Sequence, residues 1–205
     1  MAAPLLTVGH STRGVDELLA LLEEHGVQLL VDVRRFPGSR RHPQFAREAL
    51  AGSLAGAGIG YVHEVDLGGR RNPRPDSPHV AWRVAAFRGY ADHMETPPFA
   101  AALDRLLLRV AGQSTVVLCA EAVPWRCHRR LIADAVTAAG VGVVHILAPG
   151  RTARHELDPA IRVLPAAGGG APAAAGKPRP RLVYDGGGAA AAGLLPFPDA
   201  GGAPG

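Results

Sequence analysis

Apolar and polar positions alternate in blocks along the chain. Leu5, Leu6 and Val8 form a short apolar run that ends at Gly9-His10-Ser11, and Val15, Leu18, Leu19 and Leu22 then recur at helical spacing among Asp16, Glu17, Glu23 and Glu24. Apolar residues three and four apart share one helix face, so this is the pattern of a strand, a polar turn and an amphipathic helix. Acids in the first turn suit the helix dipole, and Gly26 suits a carboxyl-terminal cap. Residues 27–33, VQLLVDV, supply a second buried strand. Two strands joined by a crossover helix predict a parallel pair with a right-handed connection.

The pattern repeats downstream. A helix is predicted over 45–54, broken by Gly56, Gly58 and Gly60 before a third strand over 61–65. Helices over 81–94 and 99–110 follow with no strand between them, the second introduced by Pro97-Pro98, which favours helix starts. Val116, Val117 and Leu118 form a strand apolar on both faces over 114–120, reaching polar residues only at its end. A helix over 131–139, a cap at Gly140 and a strand over 141–147 complete a fifth unit. Asp158-Pro159 carries the signature of one more short helix. The expectation is a single α/β domain over 1–164 with a mostly parallel, Rossmann-like open sheet flanked by helices. From 165 to 205 the chain is rich in Ala, Gly and Pro and is expected to be mostly disordered, because it offers too little apolar surface to offset ordering its backbone. Within it, Leu182 to Tyr184 are apolar enough to dock.

Composition changes this picture little. The 205 residues suffice for one domain with a sizeable core. The net charge of +4 rests on arginine, since only Lys177 is lysine, and local clusters say more than the total. Cys119 and Cys127 are not the pattern of a disulfide-stapled secreted domain. The amino terminus lacks the basic flank of a signal peptide, and no stretch reaches membrane-spanning length without charges. A cytoplasmic protein that does not enter the membrane is expected.

In a parallel sheet the loops after each strand gather at one edge. Residues 10–13, 34–42 and 121–130 should therefore converge there, bringing together most of the chain's distinctive chemistry. Arginines crowd 34–41, 70–74 and 126–130, and guanidinium forks match phosphate and carboxylate oxygens. Helix starts after Arg13 and Cys127 would add backbone N–H donors for the same anion. His10, Ser11, Asp32, Arg34, Arg41 and Arg129 are the candidate anion or substrate contacts, with Asp32 and Arg34 as a positioning pair. Cys127, at a helix start among arginines, is the candidate nucleophile because both features favour thiolate. Cys119, inside a strand, reads as packing. Glu121 and His128 are the candidate proton carriers. Cys119, Cys127, His128 and His10 offer metal donors, yet Cys-x-x-Cys and His-x-x-x-His spacings are missing, so no metal is assigned and any cofactor stays open.

Two phosphate motifs nearly fit. Residues 9–14 imitate the start of a P-loop, but Val15-Asp16 stands where Lys-Ser/Thr is required. Residues 119–126 resemble a cysteine-phosphatase or rhodanese loop one residue too long, with Trp125 in place of the arginine. Trp125, Trp82 or Tyr90 could each stack on a base, in a pocket for a single nucleotide.

Thr7-Val8-Gly9-His10-Ser11, Val31-Asp32-Val33-Arg34 with Pro37 and Ser39, Gly58 to His63 with Leu67-Gly68-Gly69, and Cys119-Ala120-Glu121 with Pro124 and Cys127-His128-Arg129 together resemble domain-of-unknown-function family 488. The resemblance implies a small α/β domain and a shared polar site at His10, Ser11, Asp32, Arg34, Cys119, Glu121, Cys127, His128 and Arg129, without an established reaction. Some members carry a DNA-repair label, a pointer toward nucleic acid. The expected function is a hydrolase or transferase acting on a phosphate-bearing substrate such as a nucleotide or nucleic acid. The alternative is a non-catalytic nucleic-acid-binding module, and a third reading puts a metal or redox site at the cysteines.

Overall fold

The structure, a computed structural model, describes residues 3–38, 41–165 and 179–187. The apolar runs form strands β1 (Leu5–Gly9), β2 (Leu29–Asp32), β3 (Gly60–His63), β4 (Thr115–Cys119) and β5 (Val143–Ala148), and a short β6 (Arg151–Arg154) follows. They assemble in the order β3-β2-β4-β1-β5-β6. The first five run parallel, and β6 lies antiparallel to β5. Every residue of β1, β2 and β4 is buried, as unbroken apolar runs require when helices cover both faces.

Helices α1 (Val15–Glu24) and α2 (Arg47–Gly56) pack on one face, where Leu18, Leu22, Leu50 and Leu54 meet Val8, Leu30, Val116 and Leu118. Helices α3 (Ala85–Met94), α4 (Pro97–Gly112) and α5 (Arg129–Ala138) cover the other, where Tyr90, Phe99, Leu106 and Ile132 meet Val31, Val117 and Cys119. Period-two alternation along β4 sends Val116 and Leu118 one way, and Val117 and Cys119 the other. The helix after β2 therefore lies on the opposite face from the helix after β4, and the two chains part at the carboxyl ends of these neighbouring strands. Such a switch point leaves a crevice in open α/β sheets.

Three expectations are corrected. The helix expected from 81 begins at Ala85, because Ala81 and Trp82 are buried in the preceding loop, where the Ala81 N–H donates to the Tyr184 carbonyl at 2.9 Å. The helix expected from 45 starts at Arg47, after a 3-10 turn over Pro43–Phe45. Asp158-Pro159 starts no helix: the Asp158 carboxylate accepts the Ala160 N–H, a single turn closes, and the chain enters β7 (Arg162–Leu164). Leu182 to Tyr184, apolar enough to dock, do so: β8 (Arg181–Val183) pairs antiparallel with β7, and Leu182, Val183 and Tyr184 are buried. The expectation for 166–178 and 188–205, like Ser39 and Arg40 in the first arginine loop, lies outside the described residues. Among the described residues no helix is long and apolar enough to cross a membrane.

Candidate functional site

The crevice between β2 and β4 holds a cavity of about 330 Å³, at the small end of the roughly 300–1,000 Å³ usual for small-molecule sites. The loop after β2 contributes Arg34, Arg35 and Phe36, the loop after β3 contributes Gly69 and Arg70, and the first turn of α3 contributes Ala86 and Phe87. The segment after β4 contributes Cys119, Ala120 and Glu121, and Arg126, Cys127 and His128 complete the lining.

Among the described residues, no ion pair reaches the Arg35, Arg70 or Arg126 guanidinium or the Glu121 carboxylate. Two buried carboxylates nearby are matched: Glu64 takes Arg105 at 2.6 Å and Arg109 at 2.9 Å, and Asp32 takes Arg34 at 2.5 Å. Arg35 does bond through one N–H to the Arg70 carbonyl at 3.0 Å, and its guanidinium lies over the Phe36 ring at 5.6 Å. Phe36 is 64% exposed at the rim.

His128 Nε2 lies 3.1 Å from the Val33 carbonyl, which can only accept, so the proton sits on Nε2. Nδ1 then carries a lone pair toward Cys119 Sγ and Cys127 Sγ, each 3.8 Å away. Tyr90 packs on the ring, with centroids 4.9 Å apart. Gly69 closes the other side: a Cβ there would stand 2.7 Å from His128 Nδ1. The seven residues between the cysteines loop outward through a 3-10 turn over Pro124–Arg126 and return Cys127 to Cys119.

The two thiols divide unequally. A hydrogen bond from Cys127, with His128 and Arg129 close by, holds Cys119 well below the ordinary thiol range. Burial, reinforced by Cys119, pushes Cys127 well above it. The expectation that a helix start acidifies Cys127 is therefore corrected. Cys127 precedes the N-cap His128 in extended backbone, and its sulfur accepts the Arg129 amide at 3.5 Å. That same amide is thereby aimed away from any anion in the cavity.

Of the other expected site residues, Arg34, Glu121, Cys127 and His128 line the cavity, and His10, Ser11, Asp32, Arg41 and Arg129 do not. Asp32 is fully buried and accepts from the Arg34 backbone and guanidinium and from Tyr61 Oη, so it fixes the start of the arginine loop. His10 stacks on Phe45 at 4.3 Å. Its Nδ1 donates to the Ser11 carbonyl, and its bare Nε2 receives Arg34 Nη1 at 3.4 Å. Burial and then Arg34 lower its pKa to about 4. Arg129 is almost fully buried, and its two terminal nitrogens donate to the carbonyls of Val8, Glu121 and Ala122 while its Nε is left buried without a partner among the described residues. Gly9 makes that junction fit, since a Cβ there would lie 1.8 Å from the Glu121 carbonyl oxygen. Ser11 sits in a left-handed turn bonded to Ala120, and Arg41 is exposed away from the cavity.

The sequence read Cys119 first as packing and did not single out Phe36 or Gly69, whereas Arg35, Arg70 and Arg126 lay in the flagged arginine clusters without being chosen individually. Base stacking by Trp82 or Tyr90 is excluded. Trp82 is buried against Tyr184 and Phe87 with Arg130 over its ring, and Tyr90 is sealed under His128. Trp125 does not line the cavity either.

No curated protein and no solved structure matches the chain. The family described as "Domain of unknown function DUF488" matches residues 14–136, which hold β2, β4 and every residue of the cavity wall, and the chain belongs to that family.

Proposed function

We propose that the protein is a hydrolase or transferase acting on a phosphate-bearing substrate such as a nucleotide or nucleic acid. The observation that carries this reading is that three arginines, Arg35, Arg70 and Arg126, share one cavity with Glu121, and among the described residues none of the four has an ion-pair partner. Guanidinium forks suit phosphate oxygens. Glu121 is the general base: it takes the proton of an attacking water or acceptor hydroxyl as the new O–P bond forms and the old P–O ester bond breaks. The departing oxygen takes its proton from solvent at the open rim. The two free cysteines fit a cytoplasmic enzyme.

The test is turnover of a panel of phosphomonoesters, nucleotides and short oligonucleotides. Removing a general base costs about 10²–10⁴-fold, so Glu121→Gln should lower kcat on that scale with the fold intact. Arg126→Ala should raise KM about tenfold or more. Full activity in Glu121→Gln, or no turnover and no binding across the panel, would sink the proposal.

One observation favours the non-catalytic module as a second reading: exposed Phe36 beside Arg35 offers a stacking face and a cation together. It requires affinity for single strands that falls steeply with salt. Binding that ignores salt would remove it.

A further inference from the structure

We propose that Cys119, Cys127 and His128 form a zinc site with an open fourth position facing the cavity. Cys119 Sγ, Cys127 Sγ and His128 Nδ1 all lie within 4.8 Å of one another. Tetrahedral zinc, with bonds of about 2.3 Å to sulfur and 2.0–2.1 Å to nitrogen, sets donor separations of about 3.6 Å for S–N and about 3.8 Å for S–S. The imidazole stands 3.8 Å from each sulfur. That is long for a hydrogen bond to nitrogen, and it is within a few tenths of an ångström of the edge of a metal-centred tetrahedron.

Three further features fit a metal. Nδ1 is the lone-pair nitrogen because Nε2 donates to the Val33 carbonyl, and such a bond on the remote nitrogen is the usual way a ligating histidine is oriented. The Arg129 amide points at Cys127 Sγ, an N–H donor that stabilises a metal-bound thiolate. Two thiolates exactly offset the charge of a divalent ion, so a loaded site adds no net charge to the buried floor. Soft sulfur with one imidazole selects zinc over calcium, magnesium or manganese.

Among the described residues only three donors converge, and all three line the cavity. Sites with three protein ligands and one open position are the catalytic kind, whereas structural zinc is closed by a fourth protein ligand. The open position faces the same space as Glu121 and Arg126, so the ion would polarise whatever oxygen enters it. The site rests on donor geometry alone and needs no assumption about substrate.

The test is cobalt(II) titration of the full reduced chain, with thiol content measured in parallel. One equivalent should bind and give a thiolate-to-cobalt charge-transfer band in the near ultraviolet together with intense visible bands of tetrahedral cobalt. Zinc should displace it with the same stoichiometry. Outer partners of metal ligands are worth about 10–100-fold in affinity, so Cys119→Ser, Cys127→Ser and His128→Gln should each cost more than that. Gly69→Ala leaves every donor in place but puts a Cβ against Nδ1, and it should also abolish tetrahedral binding. No charge-transfer band in wild-type protein with both thiols reduced overturns the proposal, whatever the variants do. So does wild-type affinity in either cysteine variant. A chain that takes up cobalt but turns over no phosphate ester keeps the metal site and loses the proposed reaction. One that turns over phosphate esters with no cobalt band does the reverse.

Discussion

Arg70 holds the left-handed backbone conformation, with φ +59°, on the rim of the cavity. For an L-residue with a Cβ this costs about 1–2 kcal/mol, and such strain collects at functional positions. Its carbonyl is fixed by Arg35, while its guanidinium has no carboxylate partner among the described residues. Glycine would release the strain and lose some of the gain to the greater freedom of the unfolded chain, about 0.5–1 kcal/mol. Arg70→Gly should therefore match or slightly exceed the wild type in stability, and Arg70→Ala, which keeps the strain, should fall about 1 kcal/mol below Arg70→Gly. Both should weaken phosphate binding equally, because both lack the guanidinium. Urea unfolding with calorimetric titration of inorganic phosphate separates the effects. Equal stability of the two variants would show that the backbone at Arg70 is unstrained.

At the scale of elements, the β7–β8 ribbon fastens the end of the described chain to α4, α5 and the carboxyl end of α3. Arg162 pairs with Asp185, Arg181 with Glu95 and Arg179 with Asp104. Tyr184 is fully buried and donates to Asp134 Oδ2 at 3.0 Å, while its carbonyl holds the loop leading into α3. Ala86 and Phe87 of α3 line the cavity, so the ribbon supports one wall of the site. Tyr184→Phe strands a buried carboxylate oxygen and should cost about 1–3 kcal/mol. A loss below about 0.5 kcal/mol in urea unfolding would mean that solvent replaces the hydroxyl. The ribbon was half readable in advance: Leu182, Val183 and Tyr184 form an apolar island in a featureless tail, but nothing local names their partner. Strand β6, RTAR, has no apolar alternation and exists because β5 offers it an edge. The helix expected at Asp158 had a cap and a proline but too few residues beyond them to offset nucleation.

For the molecule as a whole, the parallel order and the edge that carries the site followed from the succession of apolar runs. What did not follow were contacts made across distance. Cys119 reads as packing until the Val33 carbonyl, just past the end of the neighbouring strand β2, turns His128 toward it. Arg129 reads as an anion ligand until three carbonyls from β1 and the loop after β4 claim it. Long-range coupling also sets the response to acid. Thr7 Oγ1, His145, His155 and Asp134 form a buried chain with steps of 2.7, 3.1 and 2.8 Å, and Tyr184 joins it at Asp134. Every ring nitrogen has a partner: Thr7 Oγ1 meets His145 Nδ1, His145 Nε2 meets His155 Nδ1, and His155 Nε2 donates to the carboxylate. Burial, then His155, Arg129 and Arg130, lower the His145 pKa to about 3. The unfolded chain protonates this histidine near about 6.5, and the folded chain does not until far lower pH. Acid therefore favours unfolding: the contribution is intact above about pH 6.5 and is lost progressively toward about pH 3, at up to about 1.4 kcal/mol per pH unit for one proton. His10, His79 and His93 are lowered too and act with the same sign. Urea midpoints should fall steadily from about pH 7 to about pH 5. His145→Gln should start less stable at neutral pH, having lost its place in the chain, yet decline with a shallower slope. An unchanged slope in that variant would mean that His145 takes up no proton on unfolding over this range, and its burial would not be what makes acid destabilising.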